Sequence, residues 1–224
     1  MGIHDGHRDR LRNRFLTHGL DSLEEHEVLE LLLFYAIPQK DTNEIAHRLI
    51  NKFGSLAKVM DAPASELMTV EGVGKNSASL ILLAKPLCRR YLISQNDTKE
   101  PLNSVEKTAA YLSTIFFGAQ VEMAYILCLD VKSRPICCRE ISSGSAISTT
   151  LPQRKAVQIA LDSNAVAVIL AHNHPNAPCA PSAEDRIATK NLKMMLESVG
   201  IRLLDHFIFG ADKYISFSKL GFFY

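Results

Sequence analysis

The sequence predicts a mixed α/β protein in which an all-α N-terminal region precedes a mixed α/β domain. Three observations support this prediction. Apolar residues recur at helical spacing as far as about residue 93. A polar stretch over residues 94–104, SQNDTKEPLNS, breaks the pattern. Short β-rich runs then alternate with helical segments. We therefore expect an all-helical region at 1–93, a linker at 94–104 and an α/β domain at 105–224.

The N-terminal region contains helices separated by recognisable boundary signals. Ser22 and Glu25 have the spacing of a capping box before an apolar run that ends at Tyr35. Gly54 follows a second amphipathic run and is expected to end that helix. A short segment with two glycines then leads into a helix over 75–91.

The second half reads as an alternation of strands and helices. The run at 165–171 is continuously apolar, which is typical of a central strand buried on both faces. Residues Lys132-Ser133-Arg134 are expected to form a hairpin turn between two strands. The predicted helices are 105–117, 152–162 and 182–199, and the predicted strands are 123–131, 135–141, 165–171, 201–209 and 214–217.

Composition restricts the protein class. The chain has 224 residues, 47% hydrophobic residues and a net charge of +1, which is typical of a globular protein without a global attraction to nucleic acid. The longest apolar run is too short to cross a bilayer, and the N-terminus MGIHDGHRDR lacks the apolar core of a signal peptide. We expect a cytoplasmic protein with no membrane partner. Five cysteines without a CxxC pair disfavour a disulfide framework and a cysteine-based zinc site.

The stretch AHNHPNAPCAPSAED, residues 171–185, carries the clearest chemical signal. His172 and His174 alternate along extended chain, so they share a face and can bind one metal ion. Ser182 is well placed as the N-cap of the next helix, which puts Asp185 in its first turn. Separately, the histidines can be ordinary and the Ser–Asp pair only a capping box. Together they favour a zinc site with three protein ligands and an open position.

These residues resemble a known family. The spacing of His172, His174, Ser182 and Asp185 is similar to the JAMM (MPN-plus) metalloprotease motif. The whole chain resembles the bacterial RadC family through AVILAHNHP, PSAED and LLDHFIFG. The resemblance implies a JAMM/MPN-like domain with a mixed sheet flanked by helices and some β-barrel character. It also implies Zn²⁺ as the cofactor, with His172, His174 and Asp185 as its ligands.

The family mechanism also requires an upstream glutamate as general base. Glu140, in CCREISSGS, is the best match, with Ser145 standing where the family has threonine. The alternative for Glu140 is a solvated residue at a strand edge. The resemblance further implies that Ser182 donates a hydrogen bond to the oxyanion of the tetrahedral intermediate. Three other acidic residues compete for the role of base: Glu122, Glu106 and Glu184.

Two further features of this half affect the site. RadC proteins commonly carry Ser-Gly after the HNHP segment, but this chain has Asn176-Ala177, followed by Cys179. Loss of the glycine restricts the loop backbone. Cys179 is expected to be inert or oxidisable rather than a ligand. His206 lies in an apolar run and is expected to be a hydrogen-bonded core histidine rather than a ligand.

The segment from Leu67 to Ala78 resembles a helix-hairpin-helix, a motif that binds DNA phosphates through its turn. The candidate DNA contacts are Gly72, Val73, Gly74 and Lys75. The alternative is a hairpin that docks a protein or serves the fold alone. Residues 1–93 contain twelve Lys or Arg and twelve Asp or Glu, and this balance weakens the DNA interpretation.

The leading functional hypothesis is a zinc-dependent hydrolase of peptide or isopeptide bonds that uses a metal-activated water as nucleophile. The sequence does not name its peptide or protein substrate. The alternative is a DNA-associated accessory protein of repair or recombination whose metal site is structural or vestigial. A third hypothesis, a metal-dependent nuclease, is disfavoured because a second carboxylate-rich cluster for a two-metal site is missing.

Overall fold

A computed structural model describes residues 3–96, 99–144, 152–175, 177–210 and 213–222. The chain divides into two compact units, Met1–Cys88 and Arg89–Tyr224. Among the described residues, no helix combines the length and apolarity needed to cross a membrane.

The first unit is helical, as predicted. It contains α1 (Ile3–His18), a 3-10 helix (Leu20–Ser22), α2 (Glu25–Ala36), α3 (Asn43–Phe53), α4 (Leu56–Asp61), α5 (Ala64–Leu67) and the start of α6 (Lys75–Gln95). Apolar side chains from α2 to α6 form one core, which includes Leu29, Leu33, Leu49, Leu67 and Ile81.

The boundaries of two helices test the predicted caps. α3 ends at Gly54, whose φ of 93° confirms the predicted glycine cap. The predicted capping box of α2 is wrong, because Glu24 is the N-cap and pairs reciprocally with Glu27. The Ser22 hydroxyl instead donates to the Gly19 carbonyl across the 3-10 turn, so it cannot cap α2.

The second unit contains a five-stranded mixed sheet in the order β2-β1-β3-β4-β5. Only β3 and β4 are parallel. This confirms the predicted fold class. Within the described residues the sheet is open, with β2 and β5 at its edges. The elements are α7 (Val105–Phe116), β1 (Met123–Leu129), β2 (Pro135–Ser143), α8 (Gln153–Asp162), β3 (Ala167–Asn173), α9 (Ala183–Glu197), β4 (Arg202–Phe209) and β5 (Tyr214–Ser216).

Helices cover both faces of this sheet. α8 and α9 pack on one face through Ala156, Ala160, Leu192 and Leu196. α7 packs on the other face through residues that include Leu112. All seven residues of β3 are buried, which confirms the predicted central strand. β3 starts two residues later than predicted and extends to Asn173, so the first histidine of the HNHP segment lies inside the strand.

The predicted hairpin between β1 and β2 is confirmed. The Asp130 carboxylate accepts hydrogen bonds from the backbone N–H groups of Lys132 and Arg134, at 2.7 and 2.9 Å. Ser133 adopts a left-handed φ of 59°. A short polar side chain that satisfies the turn's own backbone makes this connection tight.

Candidate metal centre

The end of β3 directs one histidine into the protein. Alternation along the strand places His172 with Val168 and Leu170 on the face covered by α8 and α9. His172 is only 1% exposed. Asn173 lies on the opposite face, where its side chain accepts from Met123 N at 2.7 Å and donates to the Val121 carbonyl at 3.1 Å. These two bonds fix the last residue of β3, and they therefore help to orient His172 and His174 on either side of it.

His174 follows directly after β3 and is held from both sides. Its backbone N–H donates to the Phe209 carbonyl at 2.7 Å. Its ring Nδ1 lies 3.2 Å from the Pro178 carbonyl. A carbonyl only accepts hydrogen bonds, so Nδ1 of His174 carries the hydrogen and Nε2 is available as a ligand.

The first turn of α9 brings Asp185 to the same point. Ser182 is the N-cap, and a closed capping box links it to Asp185. The backbone N–H and the hydroxyl of Ser182 both donate to Oδ2 of Asp185, at 2.9 and 2.7 Å. This holds the carboxylate in one rotamer and leaves Oδ1 directed at His172, 3.3 Å from its Nε2.

The three candidate ligand atoms converge. The Nε2 atoms of His172 and His174 are 2.9 Å apart, and together with the Asp185 carboxylate all three groups offer atoms within 4.8 Å of one another. Ligands of a tetrahedral zinc at 2.0–2.1 Å lie about 3.3 Å apart. Two imidazole nitrogens and one carboxylate oxygen are also a donor set that zinc favours, so these residues fit the ion.

Burial shapes the protonation of the histidines behind the cluster. Desolvation is the main cause that lowers the pKa of His172 to about 4; the His174 imidazole acts in the same direction and the Asp185 carboxylate opposes it. His206, which is fully buried, has its pKa lowered well below the ordinary value, again mainly by desolvation. His172 is therefore neutral at pH 7, as a metal ligand must be.

Comparison with known proteins identifies the family. Residues 102–222 match the RadC-like JAB domain family, and residues 6–79 match the UPF0758 N-terminal family. The chain belongs to the RadC-like JAB domain family. A UPF0758 protein of Janthinobacterium sp. (strain Marseille) is 34% identical, with 96% of each chain covered. A UPF0758 protein of Xanthomonas axonopodis pv. citri is 34% identical, with 99% of each chain covered. A UPF0758 protein of Coprothermobacter proteolyticus is 35% identical, and the match covers 94% of this chain and 92% of the relative.

The register of the RadC-like domain does not bring Glu140 to the cluster. Glu140 pairs with Tyr125 across the β1–β2 ladder, and Tyr125 pairs with Ala171 across β1–β3. Directly paired residues share a face, so Glu140 lies on the face of Ala171, opposite that of His172. The Tyr125 hydroxyl donates to the Glu140 carboxylate at 3.2 Å. Glu140 is exposed on the edge strand β2. This position agrees with the alternative interpretation, a solvated residue at a strand edge.

Glu122, one of the rivals of Glu140, directly precedes β1. The β1–β2 ladder continues one residue beyond β1, because Gly144 N donates to the Glu122 carbonyl at 2.8 Å. Glu122 is two residues before Ala124, which pairs with His172. Extended chain continued from Ala124 would carry Glu122 on the face of His172, although the β1–β3 ladder itself ends at the pair of Ala124 and His172. Of the other rivals, Glu106 pairs with Lys219 at 2.5 Å and Glu184 is exposed on the first turn of α9.

The remaining predicted site residues are placed as follows. The Ser182 hydroxyl hydrogen is donated to Asp185, so an oxyanion role requires this bond to open. Ser145 and Asn176 lie outside the described residues. Cys179 is half-buried in a loop that approaches Gly210 so closely that a Cβ at residue 210 would lie 2.7 Å from Cys179 N.

Two polar residues behind the cluster were not singled out as parts of the site. Thr189 is one helical turn after Asp185 and is buried. His206 is fully buried on β4 and hydrogen-bonded, which confirms the prediction of a core histidine. The spacing of Asp185 and Thr189 signals that both lie on one face of α9, but it does not reveal that His206 lies between Thr189 and His172.

The candidate DNA contacts in the first unit lie in the turn between α5 and α6. Gly72 has a φ of 91°, and a Cβ there would lie 2.7 Å from Cδ1 of Ile45. Val73 is buried in the helical core. Gly74 has open space around it, and exposed Lys75 begins α6. Backbone conformation and packing thus account for Gly72 and Val73.

Proposed function

We propose that this RadC-like chain is a zinc-dependent hydrolase of the JAMM type that acts on peptide or isopeptide bonds. The observation that carries the proposal is the convergence of His172 Nε2, His174 Nε2 and Asp185 within 4.8 Å at the end of the central strand. Relatedness of the JAB domain family to metalloproteases supports it. The five free cysteines support a reducing, cytoplasmic location.

Three candidate ligands converge within the part of the chain that the structure describes, and such a set supports catalysis over a purely structural role. Structural zinc sites are usually closed by four protein ligands, whereas catalytic sites use three and keep one position open. Asp185 is 17% exposed and His174 is partly exposed, while His172 is buried. The cluster therefore has one protected side within the protein and one side that a substrate can approach.

Each residue has a separate task in this proposal. A zinc ion held here would act as a Lewis acid that lowers the pKa of a bound water to about 7. Glu122 would accept a proton and return it to the leaving amine. Its place in the chain, two residues before Ala124, which pairs with His172, supports this role. Ser182 would hold the Asp185 carboxylate in place through two hydrogen bonds.

The base assignment provides the experiment. Glu122→Gln keeps the size of the side chain but cannot accept a proton, so we expect turnover to fall by about 10²–10⁴. Glu140→Gln is the matched control and should cleave like the parent. The assay uses the zinc-loaded full chain with two fluorogenic probes, one cut at an α-peptide bond and one at a lysine isopeptide bond.

The outcomes separate the hypotheses. Loss of cleavage in Glu140→Gln with full activity in Glu122→Gln would reverse the assignment of the base. Cleavage of supercoiled plasmid by the zinc-loaded parent, with both peptide probes intact, would replace the peptidase by a nuclease. Zinc binding without any cleavage would favour an accessory protein with a structural metal.

We also propose, as a second function, weak DNA contact by the turn that begins α6. Gly72, Gly74 and Lys75 are exposed at the N-terminus of a 21-residue helix. Backbone N–H groups and the helix dipole at such a terminus favour a phosphate. A titration of fluorescent duplex DNA at low salt tests this function.

A further inference from the structure

A chain of buried hydrogen bonds runs behind the candidate ligands, and its direction follows from simple chemistry. The Thr189 hydroxyl lies 2.5 Å from the Asp185 carbonyl and 2.6 Å from Nδ1 of His206. The hydroxyl has one hydrogen, and the carbonyl can only accept. Thr189 therefore donates to the carbonyl, and its oxygen accepts from Nδ1–H of His206.

The direction then passes through His206. Its side chain is fully buried, and a charged imidazole is costly there. A neutral ring with its hydrogen on Nδ1 has a bare Nε2. That Nε2 lies 2.8 Å from Nδ1 of His172, so Nδ1 of His172 must be the donor. Nε2 of His172 is left with a free lone pair.

The result is the tautomer that a metal needs. Nε2 of His172 is 2.9 Å from Nε2 of His174 and 3.3 Å from Oδ1 of Asp185. We call the hydrogen-bonded chain Thr189–His206–His172 the relay. Without it, the Asp185 carboxylate would favour a hydrogen on Nε2 of His172, and that hydrogen would prevent Nε2 from binding a metal. His172 is 1% exposed, so bulk water does not reach its Nδ1 to accept a hydrogen bond.

We propose that Thr189 and His206 are positioning residues that fix the Nδ1–H tautomer of His172 and so present its Nε2 to the metal. The inference rests on the proposed metal site and extends it to two residues outside the candidate ligand set. Metal-ligating histidines usually donate a hydrogen bond from the N–H of their second ring nitrogen to a carboxylate, a backbone carbonyl or water. Here a second, uncharged histidine takes that place, and the relay ends on the backbone of Asp185, itself a ligand.

The direct test reads the tautomer in the metal-free full-length protein. Long-range ¹H–¹⁵N correlation spectra at about pH 8 distinguish protonated from bare ring nitrogens in each histidine, with assignments from single histidine variants. We expect a bare Nε2 on His172 and a bare Nε2 on His206. A His172 ring that carries its hydrogen on Nε2 in the parent protein would overturn the proposal, even if the protein binds zinc and cleaves peptides.

The second test measures zinc affinity by competition with a chromophoric chelator. Thr189→Val keeps the shape of the side chain but removes the hydroxyl, and we expect a loss of about 10–100-fold. Thr189→Ser restores the hydroxyl and should bind like the parent. His206→Gln retains an acceptor and a donor, so it should bind more tightly than His206→Leu. Circular dichroism identifies any variant that does not fold.

Two results would contradict the relay in this assay. One is equal zinc affinity of Thr189→Val and Thr189→Ser; the other is equal affinity of His206→Gln and His206→Leu. Failure of the proposed function is distinguishable, because a parent protein that binds no zinc leaves the tautomer spectra of the metal-free protein fully informative about the relay.

Discussion

The candidate metal centre and the turn before α6 differ in what holds their polar groups. At the metal centre, His172 is buried, and Asp185 is fixed by two donors from Ser182. At the turn, Gly72 and Lys75 are exposed. The positive φ of 91° and the closeness of Ile45 to any added Cβ explain why residue 72 is a glycine. Both segments resemble ligand-binding motifs, yet of the two only the first brings candidate ligand atoms from three side chains together.

Buried polar side chains and a glycine with positive φ have different physical explanations. Burying polar groups costs free energy unless they find partners. An apolar side chain at residue 172 would fill the end of β3 at a smaller cost, and Nε2 of His172 lies beside Nε2 of His174 and Oδ1 of Asp185, which together favour a ligand role. Gly72 needs no ligand to explain it, because an L side chain would be strained at that position. The metal hypothesis therefore gains from the structure, while the DNA hypothesis gains little.

Substitutions at the two glycines of the turn test whether packing explains their presence. Gly72→Ala combines a left-handed φ with overlap against Ile45, and we expect it to lower the free energy of unfolding by about 2–4 kcal/mol. Gly74→Ala, with open space around it, is the matched control and should change stability by about 1 kcal/mol or less. Urea unfolding followed by circular dichroism measures both. Equal effects would show that packing does not explain Gly72.

A smaller effect concerns the two serine caps of the second unit. Ser182→Ala should cost about 1 kcal/mol of stability through loss of the cap, and zinc affinity should fall because Asp185 loses one of its two donors. Ser104 caps α7 through Lys107 N at 3.2 Å, away from the ligands. Ser104→Ala should cost a similar free energy and leave zinc affinity unchanged. If the Ser182→Ala variant bound zinc like the parent, Ser182 would act only as the helix cap of α9.

The smallest effect concerns DNA. If the turn binds phosphate, Lys75→Glu should weaken binding of a fluorescent duplex at low salt and reduce its salt dependence, since about one phosphate contact is lost. Glu71→Gln, on the other side of the turn, is the control for charge near the site. Identical titrations of Lys75→Glu and the parent would leave the turn with a structural role alone.

The sequence predicted the helices and strands of the second unit and the helical character of the first, because their apolar periodicities are strong. It also predicted that His172, His174 and Asp185 would converge, since strand alternation and the helix N-cap are local rules. Glu140 shows where such rules end. Its face depends on pairing with β1, and the register shifts by one residue between Ala124 and Tyr125. A shift of one residue moves a side chain to the other face, and the sequence does not reveal it.

The hydrogen-bonded chain of Thr189, His206 and His172 behind the candidate ligands was beyond prediction for a similar reason. Thr189 and His206 lie 17 residues apart in the chain, and they meet only because β4 pairs in parallel with β3 and α9 covers both. Asp185 and Thr189 share a helix face by spacing, but the position of His206 between Thr189 and His172 depends on strand order. Contacts set by tertiary packing are not encoded in local patterns.

The most direct test of the metal centre is the zinc content of the chain. The protein is stripped with a chelator, exposed to zinc, dialysed and analysed for metal by mass spectrometry. We expect about one zinc per chain in the parent and in His26→Ala, a histidine variant outside the cluster, and almost none in His172→Ala or the less buried His174→Ala, because a three-ligand site does not tolerate the loss of one. Full zinc content in folded His172→Ala and His174→Ala would contradict the assignment of this cluster as a metal site.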